Sequence, residues 1–255
     1  MPPFRRRRPG GAPNLTPRAG RRPLGDPFEA LVFYIVFLFS VTFHEAAHAW
    51  AARRGGDPTA YRGGQVSLDP LPHIRREPFG MVILPIVTVL ISGWPFGFAS
   101  APYDPAWAHR HPRRAAWMSL AGPGANLFLL LAAALLIRVG IAAGVFLAPD
   151  SIEFSRVTGA VAPGAWTGAG LMLSVLFSMN LVLVLLNLLP FPPLDGSGAI
   201  PLLLSPEATE RYRSFVQRRG LGWIGILVAW QLFDRIYHPM FLLSVNLLYP
   251  HVRYG

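Results

Sequence analysis

The chain has 255 residues, of which 52% are hydrophobic and only 14% charged, against about 25% charged in a typical soluble domain. So few charges cannot cover a soluble domain of this size, and so much apolar sequence excludes disorder for most of the chain. All 23 basic residues are Arg and the formal net charge is +10. Because these Arg residues cluster beside apolar segments, the expected partner is the anionic lipid headgroup rather than nucleic acid. The absence of Cys excludes disulfides, iron–sulfur clusters and thiol nucleophiles, so a zinc site would have to use His, Asp or Glu. The 26 Pro and 25 Gly are more than a plain helical bundle needs, and suggest broken helices and structured loops around a protein-lined cavity.

In chain order, residues 1–26 read as a disordered, solvated tail carrying seven Arg and six Pro. Residues 27–52 form the first apolar helix, long enough to span a bilayer. Residues 53–78 are polar and turn-rich, with a strand-like piece at Gln65-Val66-Ser67-Leu68. Residues 79–98 are apolar but carry Pro85, Gly93, Pro95 and Gly97, which suits a short or re-entrant element better than a clean span. Strong spans follow at 115–147, with Arg138 near the far end where it can snorkel, and at 166–190. A basic loop at 205–220 precedes a last apolar segment, 221–249, interrupted by Asp234, Arg235 and Pro239, the first two placed to neutralise each other. The expected architecture is an all-α polytopic membrane protein: three core transmembrane helices, a short or re-entrant membrane segment and a C-terminal apolar helix. Residues 27–255 form one membrane-embedded domain.

Two clusters carry chemistry. In His44-Glu45-Ala46-Ala47-His48 the histidines stand at i and i+4, one turn apart on one helix face, so both imidazoles can reach one metal ion. Glu45, adjacent to the first, is placed to act as a base. Unpaired ionisable groups at the end of an apolar run are costly, which favours metal binding over passive packing. A catalytic zinc needs a third protein ligand. Asp195 is the candidate, in Asn187-Leu188-Leu189-Pro190-Phe191-Pro192-Pro193-Leu194-Asp195-Gly196, where the prolines stop a span and the Gly permits close approach. His73 reads as a loop residue at the interface, His109 and His111 as solvated, and Trp94, Trp107, Trp117 and Trp166 as interface anchors.

These residues resemble the site-2 protease family of intramembrane zinc metalloproteases. His44–His48 matches its HExxH, and Asn187–Gly196 matches its Asn–x–x–Pro stretch running into Leu-Asp-Gly. Ala121-Gly122-Pro123-Gly124-Ala125-Asn126 is similar to the element of its middle core helix. The Gly55–Ala60 and Gly64–Pro70 stretches look like the linker of a compact prokaryotic branch without appended soluble domains. The resemblance implies that His44, His48 and Asp195 hold one zinc ion and that Glu45 is the general base and later the proton donor. It also implies that Asn187 contacts the substrate backbone or the oxyanion, and Asn126 is expected to hydrogen-bond between helices. The implied substrate is the transmembrane segment of another membrane protein, and the implied location a prokaryotic inner membrane, with the loop after the first helix cytosolic. The segments at 65–68 and 93–102 could offer an edge to an extended substrate. A zinc-binding or transport protein without hydrolysis is the alternative; Glu45 argues against it, because a transporter needs no base there.

Overall fold

The computed structural model describes residues 4–5, 26–216, 218 and 220–255. The expected tail at 1–26 otherwise lies outside the described residues, as does the side-chain pairing of Asp234 with Arg235. Phe4–Arg5 (β1) is a two-residue strand.

The first helix, α1, runs Pro27–Arg54. Asp26 caps it by accepting from the Phe28 amide at 3.0 Å, and Pro27 takes the first-turn position, where a missing N–H is harmless. Its 28 residues extend about 42 Å, more than the roughly 30 Å of a hydrocarbon core. Short helices α2 (Thr59–Arg62) and α3 (Pro70–Arg76) follow. Gln65 is irregular and residues 66–68 form bends between them, not the strand expected from the composition of 65–68. His73 is 1% exposed within α3, where its Nε2 lies 3.1 Å from the Ser67 carbonyl. It is therefore a buried residue that shapes this turn, not an exposed interface histidine.

A π-turn, Phe79–Ile83, leads into α4 (Leu84–Ser92). Together they are 14 residues, 5 and 9, or about 21 Å. Gly93, at φ 71°, reverses the chain, and an extended stretch runs back beside the helix. Its first contact is Trp94, whose ring meets Phe154 at 4.0 Å and Phe33 at 6.0 Å. The amide of Phe98 then donates to the Gly80 carbonyl, and the Ser100 hydroxyl to Glu77 at 2.7 Å. The two feet of the hairpin are thus bonded to each other, at the end of α1 from which it started. Trp94 itself is half-buried at the far end of the hairpin, packed against the Phe33 and Phe154 rings.

α5 (Pro105–Arg110) and α6 (Pro112–Ala142) come next. Trp107 is buried, with its indole donating to the Gly55 carbonyl at 3.0 Å. It locks the start of α6 to the end of α1 where an interface anchor was expected. α6 therefore runs antiparallel to α1. Arg138, near its far end, donates to the carbonyl of Leu248 at 3.1 Å. The following loop carries β2 (Phe146–Leu147), β3 (Ser151–Ile152) and β4 (Gly159–Ala160), paired antiparallel as β1 with β3 and β2 with β4.

α7 (Ala165–Asn187) returns to the first end. There α8 (Asp195–Ala199), a 3-10 turn (Ile200–Leu202) and α9 (Pro206–Val216) precede α10 (Leu221–Leu248). α10 is one continuous helix despite Pro239, and its second half packs Tyr237, Phe241 and Val245 against Ile137 of α6 and Phe177 of α7. Among the described residues three helices, α1, α6 and α7, are long and apolar enough to cross a membrane. Their outward faces are apolar, as at Leu31, Ile35, Phe128, Leu131 and Leu135, which is how a helix dissolved in lipid presents itself. The protein is a helical membrane protein.

Candidate metal centre

The metal-competent side chains sit where α1, α6 and α8 meet. His48 lies six residues before the end of α1, about 9 Å inside it. His44 and His48 are each 6% exposed. Asp195 reaches them because the chain stops after α7 and turns through Pro190–Pro193 to place α8 under α6. That turn depends on Gly196: a Cβ there would lie 2.3 Å from the Leu188 carbonyl and 2.4 Å from that of Leu189.

The three ligand atoms form a near-equilateral triangle. His44 Nε2 and His48 Nε2 are 3.0 Å apart, and they lie 3.1 and 3.2 Å from Asp195 Oδ2. Two donors bound 2.0–2.1 Å from a tetrahedral ion stand roughly 3.3 Å apart, so the triangle has the dimensions of three zinc ligands with the fourth position open. Two further observations agree with an ion. Glu45 is 5% exposed and its Oε2 has no hydrogen-bond partner among the described residues, an orphan adjacent to the ligands. On α6, Gly122 faces the imidazoles so closely that a Cβ would fall 2.3 Å from His48 Nε2 and 2.5 Å from His44 Nε2.

Behind the triangle a buried chain of amides fixes the first imidazole. The Leu176 carbonyl can only accept, so Asn180 must direct its Nδ2 there, at 2.8 Å, and to Ser40 Oγ at 3.0 Å. Asn180 Oδ1 then accepts from Asn126 Nδ2 at 2.9 Å, and Asn126 also donates to the Ser40 carbonyl. Asn126 Oδ1 is left to face His44 Nδ1, which must carry the proton and leaves Nε2 bare toward the metal position. His48 Nδ1 is held likewise, by the Met118 carbonyl at 2.7 Å.

The expected site residues thus divide. The structure brings together His44, His48 and Asp195, and Glu45 is buried beside them. Asn126 makes the interhelical hydrogen bonds expected of it and, beyond that expectation, bonds His44, one of the metal-competent side chains. Asn187 is the last residue of α7, partly exposed, and no hydrogen bond to its side chain is found among the described residues. Asn180 and Ser40 were missed. One sign was available: a lone Asn in the apolar run 171–186 is a buried amide that must find a partner.

Helices closing on a buried His–His–Asp triangle define a membrane-embedded metallopeptidase class, and the comparisons with known proteins agree. The chain belongs to Peptidase family M50, the site-2 protease family, whose model matches residues 32–229. Two of its relatives are named as zinc metalloproteases. YwhC of Bacillus subtilis is 33% identical over 76% of this chain and 77% of its own. Rip2 of Mycolicibacterium smegmatis is 32% identical over 84% of this chain and 73% of its own. No solved structure matches the chain. The chain is accordingly a zinc metalloprotease.

Proposed function

We propose that this protein is an intramembrane zinc endopeptidase that cleaves the transmembrane segments of other membrane proteins. His44, His48 and Asp195 would hold the metal. The observation that carries this reading is the ligand triangle buried between apolar helices, about 9 Å inside the end of α1 and adjacent to an unpaired carboxylate oxygen. When bound, zinc supplies Lewis acidity toward water and the scissile carbonyl. Glu45 takes a proton from the attacking water and returns it to the leaving amine. Asn126 and the Met118 carbonyl keep the imidazoles oriented while charge develops. Asn187, on the last turn of α7, offers both a donor and an acceptor to an extended substrate backbone.

Residues 27–255 act as one membrane-embedded domain in this reading. The hairpin at 79–98 is re-entrant: about 21 Å of helix is too short to cross, and its feet are bonded together. Residues 53–114, which hold the segments joining α1 to α6 and carry eight Arg, face the cytosol of a prokaryotic cell, and the loop after α6 faces out.

The test is reconstitution in proteoliposomes with single-span substrates. Wild-type protein is expected to cut within the span, to stop when a chelator strips zinc and to resume when zinc returns. Zinc-loaded protein that cuts no span across a panel of substrates would favour a zinc-binding or transport role.

A further inference from the structure

We propose that the groove between the basic ends of α1 and α6 is a binding site for one anionic phospholipid. The proposal rests on these helices crossing a membrane and not on the zinc chemistry. The groove encloses about 480 Å³, and its lining includes Trp50 and Arg54 of α1 and Arg114, Trp117, Leu120 and Ala121 of α6.

The two antiparallel helices present the same vertical order. Arg54 ends α1 and Arg114 lies in the first turn of α6. One turn deeper, about 5 Å, stand Trp50 and Trp117. A further turn down α6 come Leu120 and Ala121. Guanidinium, then indole, then aliphatic surface is the order in which a phospholipid presents its phosphate, its ester region and its acyl chains. The indoles are 54% and 64% exposed, an unfavourable arrangement in water that suits the ester region, where an amphipathic ring is at home.

The charges are also uncompensated. Arg114 is tethered by one donor to the Gly55 carbonyl at 3.1 Å, and the Arg54 guanidinium lies 5.4 Å from the Trp50 ring centre. Among the described residues neither pairs with a carboxylate. Two guanidiniums retain their donor forks for a phosphate, and their joint charge of +2 favours a net anionic lipid over a zwitterionic one. The site also adjoins the metal centre: Ala121 precedes Gly122, which lies against both imidazoles, and Trp50 follows His48 by two residues. A lipid seated there would buttress the helix pair that carries the ligands.

Native mass spectrometry of the delipidated full chain, titrated with phosphatidylglycerol or phosphatidylcholine, tests this. Wild type is expected to retain phosphatidylglycerol about tenfold more tightly. Arg54→Gln/Arg114→Gln should bring that preference close to one. Arg75→Gln/Arg218→Gln, which removes equal charge from exposed positions at the same end, should leave it intact. A thermal unfolding transition equal to wild type certifies that each variant is folded. Trp117→Ala, at an exposed position outside the core, should weaken retention with both guanidiniums in place. The proposal is overturned if the two lipids bind equally, if the control pair lowers the preference as much, if Trp117→Ala changes nothing, or if millimolar inorganic phosphate displaces the lipid. None of these outcomes depends on proteolysis, so failure here is distinguishable from failure of the protease reading.

Discussion

Gly122 shows how closely the centre is built. With a Cβ position 2.3 Å from His48 Nε2, Gly122→Ala must push an imidazole off the triangle, and purified variant protein is expected to hold well under half the wild-type zinc. Asn180 acts at one remove. Asn180→Leu frees the Asn126 amide to turn over, so zinc affinity should fall about 10–100-fold while the helices still assemble, as titration with a competing chelator would measure. Asn187 predicts the opposite pattern. Asn187→Ala should leave zinc and thermal stability near wild type and cut cleavage by about 10²–10³; stability falling in step with activity would assign it to packing. The sequence made part of this set legible. His44 and His48 are found because a helix turns every 3.6 residues, so their meeting is a local matter. Asp195 is 147 residues from His48, and only its setting in a Pro-rich break before Gly196, together with the family resemblance, marked it. Asn180 and Ser40 are 140 residues apart, and nothing local distinguishes an amide that holds another amide from one that merely packs.

Among the elements, the three long apolar helices follow from length and composition alone. Their ends fall within a few residues of the expected limits, except that α6 begins at Pro112 and ends at Ala142, earlier at both ends than the apolar run 115–147. The polar connections were less legible. The bends at 66–68, the burial of His73 and the inward turn of Trp107 are set by tertiary contacts with α1 and with the hairpin, which composition does not report. Asp57 belongs to this class. It is 2% exposed and accepts from the amides of Thr59 at 2.9 Å and Asp104 at 2.7 Å, tying the connection after α1 to the foot of the hairpin. Burial pushes its carboxyl up, but the Thr59 and Asp104 hydrogen bonds and nearby Arg62 outweigh this and hold it below the ordinary carboxylate range. A carboxyl lowered in the folded state adds stability that is present above its unfolded value and lost as pH falls through the folded one. Hydrogen exchange across residues 55–62 and 100–106, read as protection relative to the intrinsic rate at each pH, should therefore be slow at neutral pH and lose its protection only in acid. Asp57→Ala should make it fast at neutral pH; slow exchange in that variant would show that Trp107 alone secures the junction.

For the whole molecule, the basic connections lie at one end and the loop after α6 at the other, with the hairpin leaving and rejoining the basic end. A chain without Cys suits labelling. In right-side-out proteoliposomes Ala162→Cys should react with an impermeant maleimide and Leu71→Cys only after permeabilisation; equal reactivity of the two would reverse or abolish this topology. The central claim is narrower, that a zinc held by His44, His48 and Asp195 hydrolyses peptide bonds with Glu45 as the base. The most direct measurement is the single-turnover rate of span cleavage by Glu45→Gln at one zinc per chain, against wild type on the same substrate. Glutamine keeps the shape and removes the base, so the rate is expected to fall by at least about 10² with zinc unchanged. Cleavage near the wild-type rate by fully loaded Glu45→Gln would contradict the account.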